Sequence, residues 1–348
     1  MWIESFSLAL ASPLSTARGE ITERRGFLIG IDDTAAPPGI GEASPLAGWT
    51  ESVEECQAAL EATNLESAET YPDPSVTPAA AHAVELAGLD RRGRNDSTPL
   101  AAVLSDEAFD GAASAMPQQV PVNATIGDDD LDATVAAAER AVADGYDCLK
   151  LKAGHRSVET DIQRVSAVRA AVGGAVTLRV DANGAWDVPT AERAVDGLAA
   201  LNVAYVEQPL PAADIAGHRE LRGRGVGIAL DESLAVVSIS AVLEADAADV
   251  VILKPMALGG PLRATQAAAR AREAGVEPVV TTTIDAAVAR TAAVHVAAAV
   301  PEIAPCGLAT GSLLAADLAA DPVTISEGTV SVPTDGGLCG DGFDHLRP

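Results

Sequence analysis

Three carboxylates and a lysine end four apolar runs at nearly equal steps, and this register limits the possible folds more than any other feature of the chain. Asp181 closes VTLRVD, Glu207 closes AYVE, Asp231 closes GIALD and Lys254 closes VVILK, at successive steps of 26, 24 and 23 residues. Each step has the length of one strand, one helix and their loops. The runs belong to a longer cadence that begins near residue 118 with VPVNATIG and YDCLKLKA. It continues through VTLRVDANG, VAYVEQPL, GIALDES, DVVILKP, EPVVTTT and IAPCGLAT. The stretches between them have helical periodicity. Leu131, Val135, Ala138 and Val142 share one face, and Val158, Ile162, Val165 and Val172 share the next. Eight β-α units in roughly 200 residues predict a parallel (β/α)8 barrel. A doubly wound open sheet would want a Gly-rich phosphate turn after its first strand. The nearest candidate, Gly223-Arg-Gly-Val-Gly, precedes a strand instead.

Residues 1–117 read differently. Two strand-like runs, IESFSLAL and GFLIGID, flank a polar stretch, SPLSTARGEITERR, that reads as a mobile loop. A Pro/Gly-rich loop, APPGIGEASPLAGW, follows. Two helices are expected near ESVEECQAALEAT and TPAAAHAVELAGL, each opened by a Ser/Thr-type cap. The expected organisation is therefore an α+β unit over 1–117, the barrel over 118–318, and a C-terminal segment, 319–348, that returns to the first unit.

Charge narrows the partners. Lys plus Arg number 23 against 50 Asp plus Glu, a formal net charge of −27. A chain so acidic is a poor match for a phosphate backbone or an anionic membrane surface. Yet 48% of its residues are hydrophobic, enough for a core. Acidity, abundant alanine, few aromatics and almost no lysine together predict a protein adapted to high internal salt. No apolar run reaches the roughly 18–20 residues of a membrane span, and the N-terminus lacks a basic region of the signal-peptide kind. Cys56, Cys148, Cys306 and Cys339 are far apart in sequence and read as reduced thiols, so a cytoplasmic setting is expected. Oligomeric state stays open, a homo-oligomer included.

Only three lysines occur, Lys150, Lys152 and Lys254, and all fall in the cadence. Lys150 and Lys152 are two apart, so they share one face of their strand. With Asp181, Glu207, Asp231 and Lys254 they end five consecutive strands, at the side where barrels build their sites. Three converging carboxylates repel one another unless a cation lies between them, and hard oxygen ligands suit Mg²⁺, with Mn²⁺ as a substitute. Arginine cannot give up its proton, whereas lysine can. A neutral lysine at pH 7 costs about 4.6 kcal/mol from the reference pKa, a cost that Lys150 beside Lys152 and a nearby dication would reduce.

The KxK pair, DANGAW, VEQPL, ALDES and ILKP with its following Gly-Gly resemble the muconate-lactonizing subgroup of the enolase superfamily. GIGEASPLAGWTES resembles the loop of that subgroup's capping domain. The resemblance implies Asp181, Glu207 and Asp231 as metal ligands and Lys152 and Lys254 as the acid/base pair. It implies Lys150 as an electrostatic support and an enediolate derived from a small carboxylate substrate. The last run, APCGLATGSLLAADLA, is similar to that of the o-succinylbenzoate synthases in this subgroup. Its dipeptide epimerases carry an Asp-x-Asp there, where this chain reads Gly307-Leu-Ala-Thr-Gly311. An N-acylamino-acid racemase uses the same two lysines and remains an alternative. So does a non-catalytic, metal-stabilised binding barrel, which would need the carboxylates but not deprotonable lysines. Asn183 and Glu232 are expected beside the ligands or as helix caps. Arg18, Arg24 and Arg25 are candidates for an extra substrate carboxylate or are plain surface charges.

Overall fold

A computed structural model describes residues 1–16, 19–33, 36–109 and 116–348. The first unit is an antiparallel sheet of β1 (Trp2–Thr16), β2 (Gly19–Asp33) and β3 (Ala36–Ala43), in that order. Three helices follow, α1 (Val53–Ala62), α2 (Pro78–Asn95) and α3 (Leu100–Phe109). The stretch expected as a loop between the first two strands is mostly strand, because Leu8, Ala9 and Leu14 pair with Arg24, Glu23 and Ile21. APPGIGEA, also expected as loop, forms β3. Its glycines let α2 lie directly on the strand: a Cβ at Gly41 would come within 2.0 Å of the Ala83 carbonyl oxygen. Ser52 caps α1 in a reciprocal pair with Glu55. Helix α3 was not foreseen from sequence.

The central sheet holds seven parallel strands: β5 (Ala124–Ile126), β6 (Cys148–Lys152), β7 (Thr177–Asp181), β8 (Val203–Glu207), β9 (Gly227–Leu230), β10 (Val250–Leu253) and β11 (Glu277–Val280). Helices connect them: α4 (Leu131–Ala143), α5 (Val158–Val172), α6 (Val188–Ala199), α7 (Ile215–Leu221), α8 (Ile239–Glu244), α9 (Pro255–Leu258) and α10 (Pro261–Glu273). Helix α11 (Ala287–Ala299) follows β11. Asp130, Ser157 and Asp187 each cap the helix after a strand by accepting a backbone N–H of its first turn. Strand alternation sends Leu149, Leu151, Leu178, Val180 and Val206 into the layer shared with the helices, against Val158, Val165 and Leu198. Burying one such leucine contributes about 1.5–3 kcal/mol. In α4, Leu131 is exposed rather than buried with its expected face.

Two expected strands differ. VPVNATIG splits into β4 (Gln119–Pro121) and β5. Strand β4 pairs antiparallel with β13 (Thr329–Ser331), and β12 (Ile325–Ser326) completes that small sheet. IAPCGLAT forms no regular strand. Cys306 bridges Val122 beyond one edge of the central sheet, and Gly307 bridges Thr281 beyond the other. Pro305 brings no N–H, and its carbonyl is taken by Arg179 Nη1 at 2.6 Å, so the ladder cannot lengthen there. One short segment thus touches both edges of a curled sheet.

The C-terminal segment lies on α2. Arg94 pairs with Asp341 and Asp344, both at 2.8 Å, and Asp90 accepts the Leu338 N–H at 2.8 Å. Among the described residues no helix is long and apolar enough to cross a membrane, and the four cysteines are free.

Candidate active site

The alternation that buries Leu149 and Leu151 toward the helices turns Lys150 and Lys152 to the opposite face of the sheet. Register then aligns their neighbours. Lys152 is the backbone partner of Asp181, and Asp181 of Glu207, on adjacent strands. Asp231 follows the end of β9 and Lys254 the end of β10. The six residues therefore stand at the C-terminal ends of β6 to β10, with the carboxylates on the three strands between the two lysine sites.

Their side chains meet. Lys150 Nζ lies 2.9 Å from Glu207 Oε1 and 3.1 Å from Asp181 Oδ2, and Lys152 Nζ lies 2.8 Å from the same Asp181 oxygen. Lys152 also donates to Asn183 Oδ1 at 2.8 Å, and Asn183 Nδ2 donates to Glu232 Oε1 at 2.9 Å. Lys254 is paired with Asp231, and its Nζ sits 3.6 Å from the centroid of the Trp49 ring. All three carboxylates are buried.

Burial alone would strip Lys150 of its charge, but Glu207 and Asp181 outweigh it and hold its pKa well above the ordinary lysine value. Burial likewise disfavours an ionised Asp181, yet Lys150 and Lys152 hold it well below the usual carboxylate range. Glu207 goes the other way. Burial, then the adjacent Asp181, push it up to about 7 despite Lys150. Burial also raises Asp231 to about 6, with Glu232 adding to the rise against the pull of Lys254. Lys150 thus stands between two carboxylates while sharing a strand face with Lys152.

Among the described residues no three His, Cys, Asp or Glu side chains form a ready cage for a metal ion, and ammonium groups engage the carboxylates. The donor set nonetheless fits a hard dication. Glu207 Oε2 is buried with no hydrogen-bond partner, an acceptor that a bound cation would satisfy. Lys150 and Lys254 Nζ stand where cationic charge is needed. Oxygen donors from Asp181, Glu207 and Asp231 are of the type Mg²⁺ accepts.

Some residues were missed or misplaced by sequence. Gln208, buried and with φ of 42°, accepts the Asp231 and Ser233 N–H groups through Oε1 at 3.0 and 3.1 Å, fixing the turn after β9. It stands in VEQPL, but nothing in that string shows its left-handed backbone. Trp49 lies in the quoted GIGEASPLAGWTES loop, and its contact with Lys254 is purely tertiary. Arg24 is turned into the protein interior. It is buried and donates to three backbone carbonyls, those of Ile284, Pro45 and Ser44. Arg25 is exposed, and Arg18 lies outside the described residues.

A family model described as enolase C-terminal domain-like matches residues 133–341. The chain is 40% identical over 222 residues to the o-succinylbenzoate synthase of Thermobifida fusca (strain YX), across 61% of this chain. That match spans 66% of the relative's length, just under two thirds. The chain is 30% identical over 327 residues to a chloromuconate cycloisomerase of Cupriavidus necator, across 88% of this chain and 86% of that protein. Among solved structures, the dipeptide epimerase from Enterococcus faecalis V583, complexed with Mg and the dipeptide L-Leu-L-Tyr, superposes with a TM-score of 0.81. It is 26% identical and covers 97% of each chain. Because the family match runs through every strand from β6 to β11 and the cycloisomerase match covers most of the chain, this chain belongs to the enolase superfamily.

Proposed function

We propose that this chain is an o-succinylbenzoate synthase, a Mg²⁺-dependent dehydratase acting on 2-succinyl-6-hydroxy-2,4-cyclohexadiene-1-carboxylate in menaquinone biosynthesis. The observation that carries the reading is that every lysine of the chain ends beside the three buried carboxylates. Asp181, Glu207 and Asp231 would hold Mg²⁺, or Mn²⁺ in its place. The bound ion supplies charge neutralisation at the substrate carboxylate. Lys152 Nζ takes the proton α to that carboxylate and returns it to the departing hydroxyl, so that a C–H and a C–O bond break and water leaves. Lys254, four strands away in the sheet, presents its ammonium to the negative charge that develops on the substrate. Lys150 keeps Asp181 and Glu207 in place. The neutral Gly307-Leu-Ala-Thr-Gly311 surface suits a succinyl group better than an ammonium, which favours this reaction over dipeptide epimerisation.

Lysines on both sides of the carboxylates also suit N-succinylamino-acid racemisation, which is the second reading. The test is to supply purified protein, Mg²⁺ and molar KCl with the cyclohexadiene carboxylate and with N-succinyl amino acids, and to compare kcat/KM. Turnover of neither, or full activity after EDTA treatment, removes the proposal. A non-catalytic barrel would tolerate arginine at all three lysine positions.

The wider reading follows the same lines. Residues 1–117 form the capping domain and 118–318 a (β/α)8-type barrel, in which the Cys306–Gly307 bridges to both sheet edges stand in place of a regular eighth strand. Residues 319–348 return to the cap. The partner is a small carboxylate rather than nucleic acid or membrane, in a salt-rich cytoplasm.

A further inference from the structure

Arg24 and Glu42 are buried charges that the proposed chemistry does not use. Helix α11 has Ala286 at its N-cap and so no capping side chain of its own. Glu42, at the end of β3, supplies two acceptors: its carboxylate oxygens take the N–H groups of Ala286 and Ala289, each at 2.8 Å, while Asp317 Oδ1 takes that of Ala287 at 2.9 Å. Ser44 Oγ donates to the same carboxylate at 2.6 Å. Arg24, on β2, reaches across to both sides of this joint. Its Nη1 and Nη2 hold the carbonyls of Pro45 and Ser44 at 2.9 and 2.7 Å, and its Nε holds the carbonyl of Ile284 at 3.1 Å. Ile284 has φ of 62°, a left-handed conformation that a β-branched residue keeps only where its surroundings over-determine it.

The loop that begins here ends in the same manner. Helix α2 also lacks a side-chain cap, and Glu51 accepts from Ala79 and Ala80 at 3.0 and 2.9 Å. Two carboxylates therefore bracket residues 43–50, one tied to α11 beyond the central sheet and one to α2. Between them lies Trp49, half-buried, with its ring on Lys254 Nζ.

We propose that Arg24 and Glu42 form a positioning latch for the reaction centre, clamping loop 43–50 to the turn at Ile284 so that Trp49 holds Lys254 in place. The inference deepens the proposed function, since it takes Lys254 as a working group of that site. Neither latch residue touches substrate. They act through the loop.

The test uses a full chain in which Trp49 is the sole tryptophan, with Trp2→Phe and Trp186→Phe, in molar KCl. Arg24→Lys and Glu42→Gln should red-shift the Trp49 emission and raise its quenching by acrylamide. Lysine cannot span three carbonyls, and glutamine turns an N–H group toward a helix amide. On the cyclohexadiene carboxylate, kcat should fall by roughly a hundredfold, the scale of a ~1 Å misplacement, while KM stays within about threefold. Folded variants with unchanged Trp49 emission overturn the latch. So does a raised KM at unchanged kcat, which would make Arg24 a substrate-binding group. Should both variants fail to fold, Ser44→Ala, which removes a single bond to Glu42, should give the same shift in smaller measure, and an unshifted emission there overturns the idea. If the parent protein does not turn the substrate over, the functional proposal fails while the Trp49 emission still decides the latch.

Discussion

Lysine and arginine carry the same charge, and the difference between them is whether the proton can leave. Lys152→Arg keeps a cation near Asp181 and Asn183 but removes a group able to accept the α-proton. Its kcat should fall by at least roughly a thousandfold with the fold intact, as expected for a lost general base. Following α-proton exchange into D₂O checks this, and wild-type exchange in the variant would remove Lys152 from the base role. Lys254→Arg should cost less in dehydration, since a fixed cation still faces the developing charge. In racemisation it should cost as much as Lys152→Arg, because both faces then need a proton carrier. Measuring both variants on both substrates separates the two reactions. Asp181→Asn, Glu207→Gln and Asp231→Asn should each lose most activity, because a neutral amide is a weaker ligand for a hard dication. Added Mg²⁺ or Mn²⁺ should raise the thermal midpoint of the wild type and not of these variants, a readout that does not depend on the substrate.

Helix α11 is buried on every side, and its histidine shows what that burial imposes. His295 Nδ1 accepts the Ala101 N–H at 3.2 Å, which leaves Nε2 to donate to the Leu338 carbonyl at 2.7 Å. One ring thus joins α11 to the start of α3 and to the C-terminal segment. A second proton would have to enter at Nδ1, against an N–H already pointing there. Burial accordingly lowers the His295 pKa to about 4, despite the Leu338 carbonyl. Above the unfolded value near 6.5 the group is neutral in both states and contributes nothing to pH dependence. As pH falls from 6.5 towards 4 the unfolded chain takes up a proton that the folded chain refuses, so stability drops, by up to roughly 3 kcal/mol once pH is below both values. Urea unfolding of the wild type and His295→Gln across this range checks it: the variant should show the flatter dependence, and parallel curves would contradict the assignment. At the layer between strands and helices, Leu151→Ala should cost about 2–5 kcal/mol, because it empties a site among Val158, Val165 and Val180.

Over the whole molecule, net charge governs the response to salt. A net charge of −27 on a folded chain of 348 residues repels itself most strongly when salt is dilute. The thermal midpoint should therefore rise from low to molar KCl, and a flat response would assign the acidity to another cause. Several acids are already committed to arginine, as where Arg290 Nη2 pairs with Asp317 at 2.6 Å and Asp321 at 2.5 Å. Arg290 is itself buried, so these pairs are screened less than the isolated surface acids, and the salt response belongs mainly to the latter.

Periodicity and spacing carried the β-α cadence, because a parallel strand buried on both faces must be short and apolar, and a helix over it must be amphipathic. The same spacing placed Lys150, Lys152, Asp181, Glu207, Asp231 and Lys254 at strand ends, since alternation and chain direction are local properties of a strand. What sequence could not settle was non-local. Whether SPLSTARGEITERR is loop or strand depends on pairing across a hairpin, and whether IAPCGLAT forms a strand depends on what already holds the Pro305 carbonyl. Arg24 looked like a surface charge or a ligand contact because nothing near it in sequence says that Ser44, Pro45 and Ile284 converge on it. Nothing near Lys150 in sequence says that Asp181 and Glu207, from two other strands, come within 3.1 Å and 2.9 Å of its ammonium. Local pattern determined which residues lie at the mouth of the sheet. Only tertiary structure decided which charges neutralise one another there, because that depends on distances between side chains far apart in the chain.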